Sequence, residues 1–174
     1  MEKRFIMTAF GEDRPGIVAE VTQVIYEHDC NLENASMTRL SNEFAMIFLF
    51  SGRGSHLEEQ LSRACRRLER EQRISAFFRP IDAHAGIAPK TSTFHALRIE
   101  GIDHAGIVFH VSTYLAKHQV NIDDLSSRLT FMPESGTKMY QIQMRIEVPA
   151  DASMEELRQG LTEVGDELHV MITF

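Results

Sequence analysis

The chain contains the stretch Gly11-Glu12-Asp13-Arg14-Pro15-Gly16-Ile17-Val18, and this stretch returns as Gly101-Ile102-Asp103-His104-Ala105-Gly106-Ile107-Val108. Each residue of the second copy is numbered 90 above its partner in the first, as 101 stands above 11. The same offset relates His28 to His118 and Asn31-Leu32 to Asn121-Ile122. A fixed offset indicates a duplicated structural unit. We therefore expect the 174 residues to form two modules, 1–83 and 94–174, joined by a linker over 84–93.

Hydrophobic periodicity predicts the same order of elements in each half, namely strand, helix, strand, strand, helix, strand. In the first half we expect strands over 4–10, 35–40, 44–50 and 74–81, with helices that begin near Ile17 and Leu57. In the second half we expect strands over 94–100, 123–131, 138–148 and 168–174, with helices that begin near Ile107 and Met154. The order βαββαβ is that of the ferredoxin-like fold, in which both helices cover one face of a four-stranded antiparallel sheet. The fold class is thus α+β, with two tandem modules.

The repeated loop has the features of a carboxylate-binding site. A helix that begins at Pro15 or Gly16 leaves its first N–H groups without partners inside the helix, and such groups bind anions. Gly16 allows close approach to the backbone. Asp13 can offset a ligand ammonium, and Asn31, expected at the same end of the sheet, can bond either group of an amino acid.

The alternative for the same residues is structural. Asp13 and Asp103 are also suitable helix caps, and Asn31 and Asn121 suit left-handed positions that follow a helix. The second loop has His104-Ala105 where the first has Arg14-Pro15, which favours ligand binding in the first. The candidate ligand-binding residues are Gly11, Asp13, Arg14, Pro15, Gly16, Ile17, Asn31 and Leu32, with Gly101, Asp103, His104, Ala105, Gly106, Ile107, Asn121 and Ile122.

Composition and spacing argue against several function classes. The net charge of −7 argues against direct nucleic-acid binding, which normally requires a basic surface. Two cysteines and no His-x-x-x-His or Cys-x-x-Cys pair argue against a disulfide framework or a metal site, and we expect no cofactor. No nucleophile stands beside a base in a catalytic motif, so we expect no enzyme. No apolar run approaches the roughly 20 residues of a membrane span, which favours a cytoplasmic protein.

A basic stretch runs along the second predicted helix of the first half. It contains Arg63, Arg66, Arg67, Arg70 and Arg73, with Glu58, Glu59, Glu69 and Glu71 close enough in sequence to pair with them. The first interpretation is a solvated face whose long side chains lie over the surface. The alternative is a docking surface for an acidic protein.

The first loop and the following His28-Asp29-Cys30-Asn31-Leu32 resemble the ACT domain, a family of small ferredoxin-like modules that bind amino acids. Two such modules, with a longer hairpin at Pro133-Glu134-Ser135-Gly136-Thr137 in the second, resemble the glycine cleavage system transcriptional repressor group. This resemblance implies a repressor that senses glycine or serine and contacts a DNA-binding regulator without binding DNA itself. The alternative is a ligand-independent ACT interaction module that modulates an enzyme partner. Exposed sheet edges favour a homodimer in either case.

Overall fold

The computed structural model describes residues 2–81 and 91–174. These residues separate into two compact units, which lie within Met1–Gly86 and Ile87–Phe174. Most of the predicted linker, 84–93, falls outside the described residues. Its last two residues, Ser92 and Thr93, belong to a strand.

The first unit has the predicted order of elements. Its strands are β1 (Glu2–Glu12), β2 (Asn31–Leu40), β3 (Glu43–Arg53) and β4 (Ser75–Ile81), and its helices are α1 (Ile17–Glu27) and α2 (Leu57–Arg67). A π-helical segment, Leu68–Gln72, continues α2. The strands are antiparallel in the order β2-β3-β1-β4, which is the ferredoxin-like arrangement.

The second unit repeats this architecture. Its strands are β5 (Ser92–Ile102), β6 (Asn121–Phe131), β7 (Lys138–Pro149) and β8 (Val170–Thr173), and its helices are α3 (Ile107–Lys117) and α4 (Met154–Leu168). The sheet order is β6-β7-β5-β8. The predicted α+β fold with two βαββαβ modules is therefore confirmed.

Each unit has its own hydrophobic core between one face of the sheet and the helices. Alternate residues of the central strands point into this core, because strand side chains alternate between the two faces. In the first unit Phe5, Met7, Phe48 and Phe50 are fully buried, and they share a cluster with Val21 and Leu61 of the helices. In the second unit Leu97, Ile99, Ile142, Ile146, Val111 and Leu161 occupy the corresponding layer.

The two hairpins differ in length, as the sequence predicts. β2 and β3 are joined by Ser41 and Asn42 alone, with Ser41 at a left-handed φ of 56°. β6 and β7 are joined by residues 132–137, where Thr137 accepts a backbone bond from Met132 at 2.9 Å. The repeat therefore keeps the sheets alike while this hairpin varies.

Candidate functional site

The first candidate loop connects β1 to α1. Gly11 and Glu12 are the last residues of β1, where they pair with Phe44 and Glu43. The amide of Asp13 donates to the carbonyl of Asn42 at 2.7 Å, which fixes the loop against the β2–β3 turn. The Asp13 carboxylate accepts a bond from Arg39 at 3.2 Å. Asp13 is therefore held by a cation of its own module.

Helix α1 begins at a glycine in a left-handed conformation. Gly16 has a φ of 92° and no side chain caps the helix, so the alternative in which Asp13 is the cap is wrong. Pro15 lies before the helix and not in its first turn, which corrects the expected start. The amide of Ile17 donates to Arg14 at 3.3 Å, and the first helical bond runs from Glu20 to Gly16 at 3.1 Å. The geometry of a helix start leaves the next two amides, at 18 and 19, without helical acceptors.

The side chain of Arg14 is already paired. Its two terminal nitrogens donate to the two carboxylate oxygens of Glu20, at 2.7 and 2.6 Å, and one of them also reaches Gln72 at 3.3 Å. This bidentate pair holds the pKa of Glu20 below its usual range and raises the pKa of Arg14. A ligand carboxylate would have to compete with Glu20 for this guanidinium.

The second candidate loop has the same backbone path. Gly101 and Ile102 end β5 opposite Tyr140 and Met139, and the amide of Asp103 donates to Lys138 at 3.1 Å. Gly106 has a φ of 101°, and no side chain caps α3, which begins at Ile107. Asp103 is therefore not a cap either. Ala105, like Pro15, lies before the helix.

His104 stands where the first loop has Arg14, and it forms different hydrogen bonds. Its Nε2 donates to the carbonyl of Leu168 at 2.8 Å and its Nδ1 contacts the carbonyl of Ala105 at 3.1 Å. These carbonyls favour the imidazolium, so they raise the pKa of His104 above 6.5. Arg14 and His104 thus both connect the loop to the end of the second helical segment of their module, through Gln72 and Leu168. This shared contact is a structural role that the sequence did not reveal.

The two candidate asparagines lie far from the loops of their own modules. Asn31 pairs with Ser51, which pairs with Arg4 near the start of β1, whereas Gly11 lies seven residues further along that strand. At about 3.3 Å per residue this separation is roughly 23 Å. The prediction that Asn31 lies at the same end of the sheet as the loop is therefore wrong.

The same correction applies to the second module. Asn121 pairs with Glu147, which pairs with Phe94, again seven residues before Gly101. The left-handed residues after the helices are Asp29 (φ 50°) and Gln119 (φ 57°), so the alternative role for the asparagines is also wrong. Both asparagines are the first residues of their strands.

Leu32 and Ile122 precede an irregularity that the sequence did not predict. The register shifts between Leu32 and Asn34, and again between Ile122 and Asp124, so Glu33 and Asp123 are extra residues in their strands. Each of these carboxylates forms an ion pair with an arginine of its own sheet. Glu33 pairs with Arg4 of β1, two strands away, and Asp123 pairs with Arg145 of the neighbouring strand β7. Leu32 is exposed, whereas Ile122 packs against the core of its unit.

The basic stretch on α2 is largely paired. Arg63 bonds Glu59, Arg70 bonds Glu71 at 3.2 Å, and Arg67 reaches across to Glu27 of α1 at 2.7 Å. Two of these partners are among the predicted acidic residues. The pairing supports a solvated helix face.

Other chemistry-bearing groups do not assemble into a centre within residues 2–81 and 91–174. No cluster of three or more His, Cys, Asp or Glu side chains there is arranged to hold a metal ion. Burial raises the pKa of Cys30, and it raises the pKa of Cys65 to about 11, so both thiols stay protonated at neutral pH. None of the described helices has both the length and the apolarity that spanning a bilayer requires.

Comparison with known proteins assigns the first module to a family. The ACT domain model matches residues 3–79. The glycine cleavage system transcriptional repressor of Escherichia coli is 25% identical over 170 residues, which cover 94% of this chain and 85% of that protein. This chain is therefore homologous to that repressor over both of its modules.

Two further similarities concern proteins without a stated function. A UPF0237 protein of Methanopyrus kandleri is 48% identical over 46 residues, which are 26% of this chain. The match spans about half, 51%, of that relative's length. A crystal structure of an unknown protein from Galdieria sulphuraria superposes with a TM-score of 0.79 at 26% identity, covering 99% of this chain and 97% of that chain.

Proposed function

We propose that this chain, which belongs to the ACT domain family, is a regulatory protein that responds to a small amino acid and represses transcription through a DNA-binding partner. The observation that supports this most is the similarity to the glycine cleavage system transcriptional repressor, because it extends over both modules. We assign no reaction to the chain, and we place the protein in the cytoplasm.

The name of that relative points to glycine as the effector, with serine as the alternative. We assign the effector to the β1–α1 loop of the first module. The uncapped start of α1 offers backbone amides to a carboxylate, and the left-handed Gly16 presents no side chain there. Glycine is small enough to enter beside these groups without displacing the core residue Ile17.

The Arg14–Glu20 pair suits a zwitterion. If glycine enters between the two side chains, its carboxylate takes the place of Glu20 at Arg14, and its ammonium takes the place of Arg14 at Glu20. Each charge then keeps an opposite partner, which limits the cost of opening the pair. In this arrangement Glu20, and not Asp13 as the sequence suggested, balances the ammonium, since Asp13 already bonds Arg39.

The response follows from the position of this pair. Arg14 also bonds Gln72 at the end of the π-helical segment, so a ligand that engages Arg14 changes how the loop is tied to that segment. A ligand shifts such an equilibrium only as far as it binds one arrangement more tightly than the other. The surface presented to the partner then depends on the effector concentration.

A second candidate function is a ligand-independent interaction module. It is favoured by the internal pairing of Arg14 with Glu20 and of His104 with Leu168, which leaves neither loop cation without a partner. In that case the loops only hold the module together, and the partner can be an enzyme.

Capture of partners by the tagged full chain, from native lysate with and without added glycine, distinguishes these functions. Under the proposal a DNA-binding regulator is recovered, its yield depends on glycine, and Arg14→Gln removes that dependence. His104→Gln is the matched control at the equivalent position and retains it. Recovery of an enzyme at a yield that ignores glycine would support the second candidate and reject the first.

A further inference from the structure

The sheet of the first unit has an open face, on the side opposite the helices. Its side chains alternate with those of the core, so they are found at even positions of β1 and odd positions of β3 and β4. The central rows of this open face are mainly apolar and contain Ile6, Thr8, Phe10, Ala45, Ile47, Leu49 and Phe77.

Large apolar side chains on the open face are strongly exposed. Phe10 is 45% exposed, Ile47 47% and Phe77 59%. Phe10 and Phe77 meet edge to face with ring centroids 6.5 Å apart, so they form one continuous patch. A groove of about 420 Å³ extends the patch between Ile6, Ile47, Leu49 and Ile81. A contiguous apolar surface of this kind indicates a contact site for another molecule.

The central rows of the corresponding face of the second sheet are polar, whereas exposed apolar side chains on that face, Phe94, Ile102 and Met171, lie outside these rows. Its register places Ala96, Arg98 and Glu100 where the first sheet has Ile6, Thr8 and Phe10. It likewise places Gln141, Gln143 and Arg145 opposite these three residues.

These polar groups satisfy one another. Arg98 donates to Glu100 at 2.6 Å, Gln141 donates to the same carboxylate at 2.7 Å, and Arg128 donates to Gln141 at 2.9 Å. Such a face suits water and does not match the apolar patch of the first sheet. The two modules therefore differ in the middle of the open face, which is apolar in the first sheet and polar in the second.

The open face also has a charge at each end. At one end Glu12 and Glu43 stand directly opposite each other on neighbouring strands, and neither forms an ion pair with any residue of 2–81 or 91–174. Like charges in this position are destabilising. Towards the other end lies Arg79, which has no ion pair in that same part of the chain, beside Arg4 and its partner Glu33.

We propose that the open face of the first sheet binds the same face of a second copy of this chain. The two sheets pack face to face with their strands antiparallel across the interface, so the Glu12–Glu43 end of each copy lies over the Arg79 end of the other. A two-fold axis parallel to the two sheets, midway between them and perpendicular to the strands, produces this contact and makes the surface self-complementary. Face-to-face packing of two sheets about 10 Å apart is a common arrangement.

The size of the face is close to what a small specific dimer interface requires. Four strands about 4.8 Å apart and about seven residues long, at about 3.3 Å per residue, form a rectangle of roughly 440 Å². Pressing two such faces together removes roughly 900 Å² of flat area, and more once the relief of the side chains is included. This approaches the lower bound of about 1,200 Å² for specific interfaces.

Sedimentation equilibrium of the full chain tests this dimer. Ile47→Asp places a charge in the middle of the face, and its matched control is Gln143→Asp, the equivalent position of the second sheet. We expect Ile47→Asp to raise the dimer Kd about 100-fold or more, because the charge is buried without a partner. We expect Gln143→Asp to leave the Kd unchanged. Circular dichroism confirms that both variants fold.

A charge exchange tests the orientation. We expect Arg79→Glu to weaken the dimer about tenfold. We expect Arg79→Glu combined with Glu12→Arg to restore most of the loss, because β1 lies next to β4 in the sheet. A wild-type chain that stays monomeric up to about 100 μM overturns the proposal. A dimer that ignores Ile47→Asp overturns it as well, since the contact then lies at a sheet edge. An unchanged Kd in Arg79→Glu overturns the antiparallel orientation.

Discussion

At the scale of single residues, the pairing of Arg14 with Glu20 determines what the first loop can bind. Glu20 is the residue that sequence reasoning missed, although an acidic residue in the first turn of a helix is a usual feature. Its role follows from the side-chain position of Arg14, which depends on the folded loop. Helical periodicity alone places Glu20 on the surface without a partner.

We predict that Glu20→Gln abolishes the preference of the chain for glycine over acetate. The amide removes the countercharge of the ligand ammonium, while Arg14 and the helix amides still receive a carboxylate. Competition between acetate and glycine, measured by calorimetry, checks this outcome. An unchanged preference would show that Glu20 does not face the ammonium.

His104 introduces a pH dependence into the second unit. Its folded-state pKa is raised because it donates to backbone carbonyls, so its contribution to stability is complete below the unfolded pKa of about 6.5. The contribution is lost as the pH rises through the folded-state pKa. We predict that the wild-type free energy of unfolding falls by more than that of His104→Gln as the pH rises from below 6.5 to above it.

Urea denaturation across this pH range provides the measurement. Parallel pH profiles for wild type and His104→Gln would mean that protonation of His104 adds nothing to stability. The first loop has an arginine at the equivalent position, and this arginine stays charged throughout the range. The loss of stability caused by Arg14→Gln should therefore not depend on pH within this range.

At the scale of the elements, α4 illustrates how packing can override helix propensity. Gly165 lies inside the helix, where alanine would normally be better by about 1 kcal/mol. A Cβ at this position would lie 2.8 Å from the backbone oxygen of Val170, which cannot move without disturbing β8.

We therefore predict that Gly165→Ala destabilises the second unit by about 1–3 kcal/mol, the usual cost of overpacking. Thr162→Ala on the exposed face of the same helix is the control and should be neutral or slightly stabilising. Chemical denaturation of the two variants measures the difference. A stabilised Gly165→Ala variant would mean that α4 and β8 are further apart than the structure has them.

The existence and type of the four strands and two α-helices of each unit were predictable from the spacing of apolar residues. Most strands extend further than predicted, and β1 continues through Gly11 and Glu12 because backbone pairing does not end where hydrophobicity does. The last strand is shorter than the predicted 168–174, because Leu168 still belongs to α4. The π-helical segment at Leu68–Gln72 had no signal in the apolar stripe. The position of Asn31 was misjudged because its sheet end depends on register, which pairs it with Ser51.

At the scale of the whole molecule, the duplication conserves the fold and changes the surfaces. The two helix-facing cores have similar patterns, whereas Ile6, Thr8 and Phe10 on the open face of the first sheet correspond to Ala96, Arg98 and Glu100 in the second. The sequence contained this contrast, but its meaning required knowing which positions face away from the helices. The same applies to the two loops. Their equivalent residues Arg14 and His104 form different hydrogen bonds, Arg14 with Glu20 and Gln72 and His104 with the carbonyl of Leu168.

The central claim is that the first module binds a small amino acid at the start of α1. The most direct measurement is a calorimetric titration of the purified full chain with glycine at millimolar concentrations. We expect saturable binding that Arg14→Gln weakens about tenfold or more and that His104→Gln leaves intact. The absence of binding heat with glycine, serine and other small amino acids, or equal binding by wild type and Arg14→Gln, would contradict it.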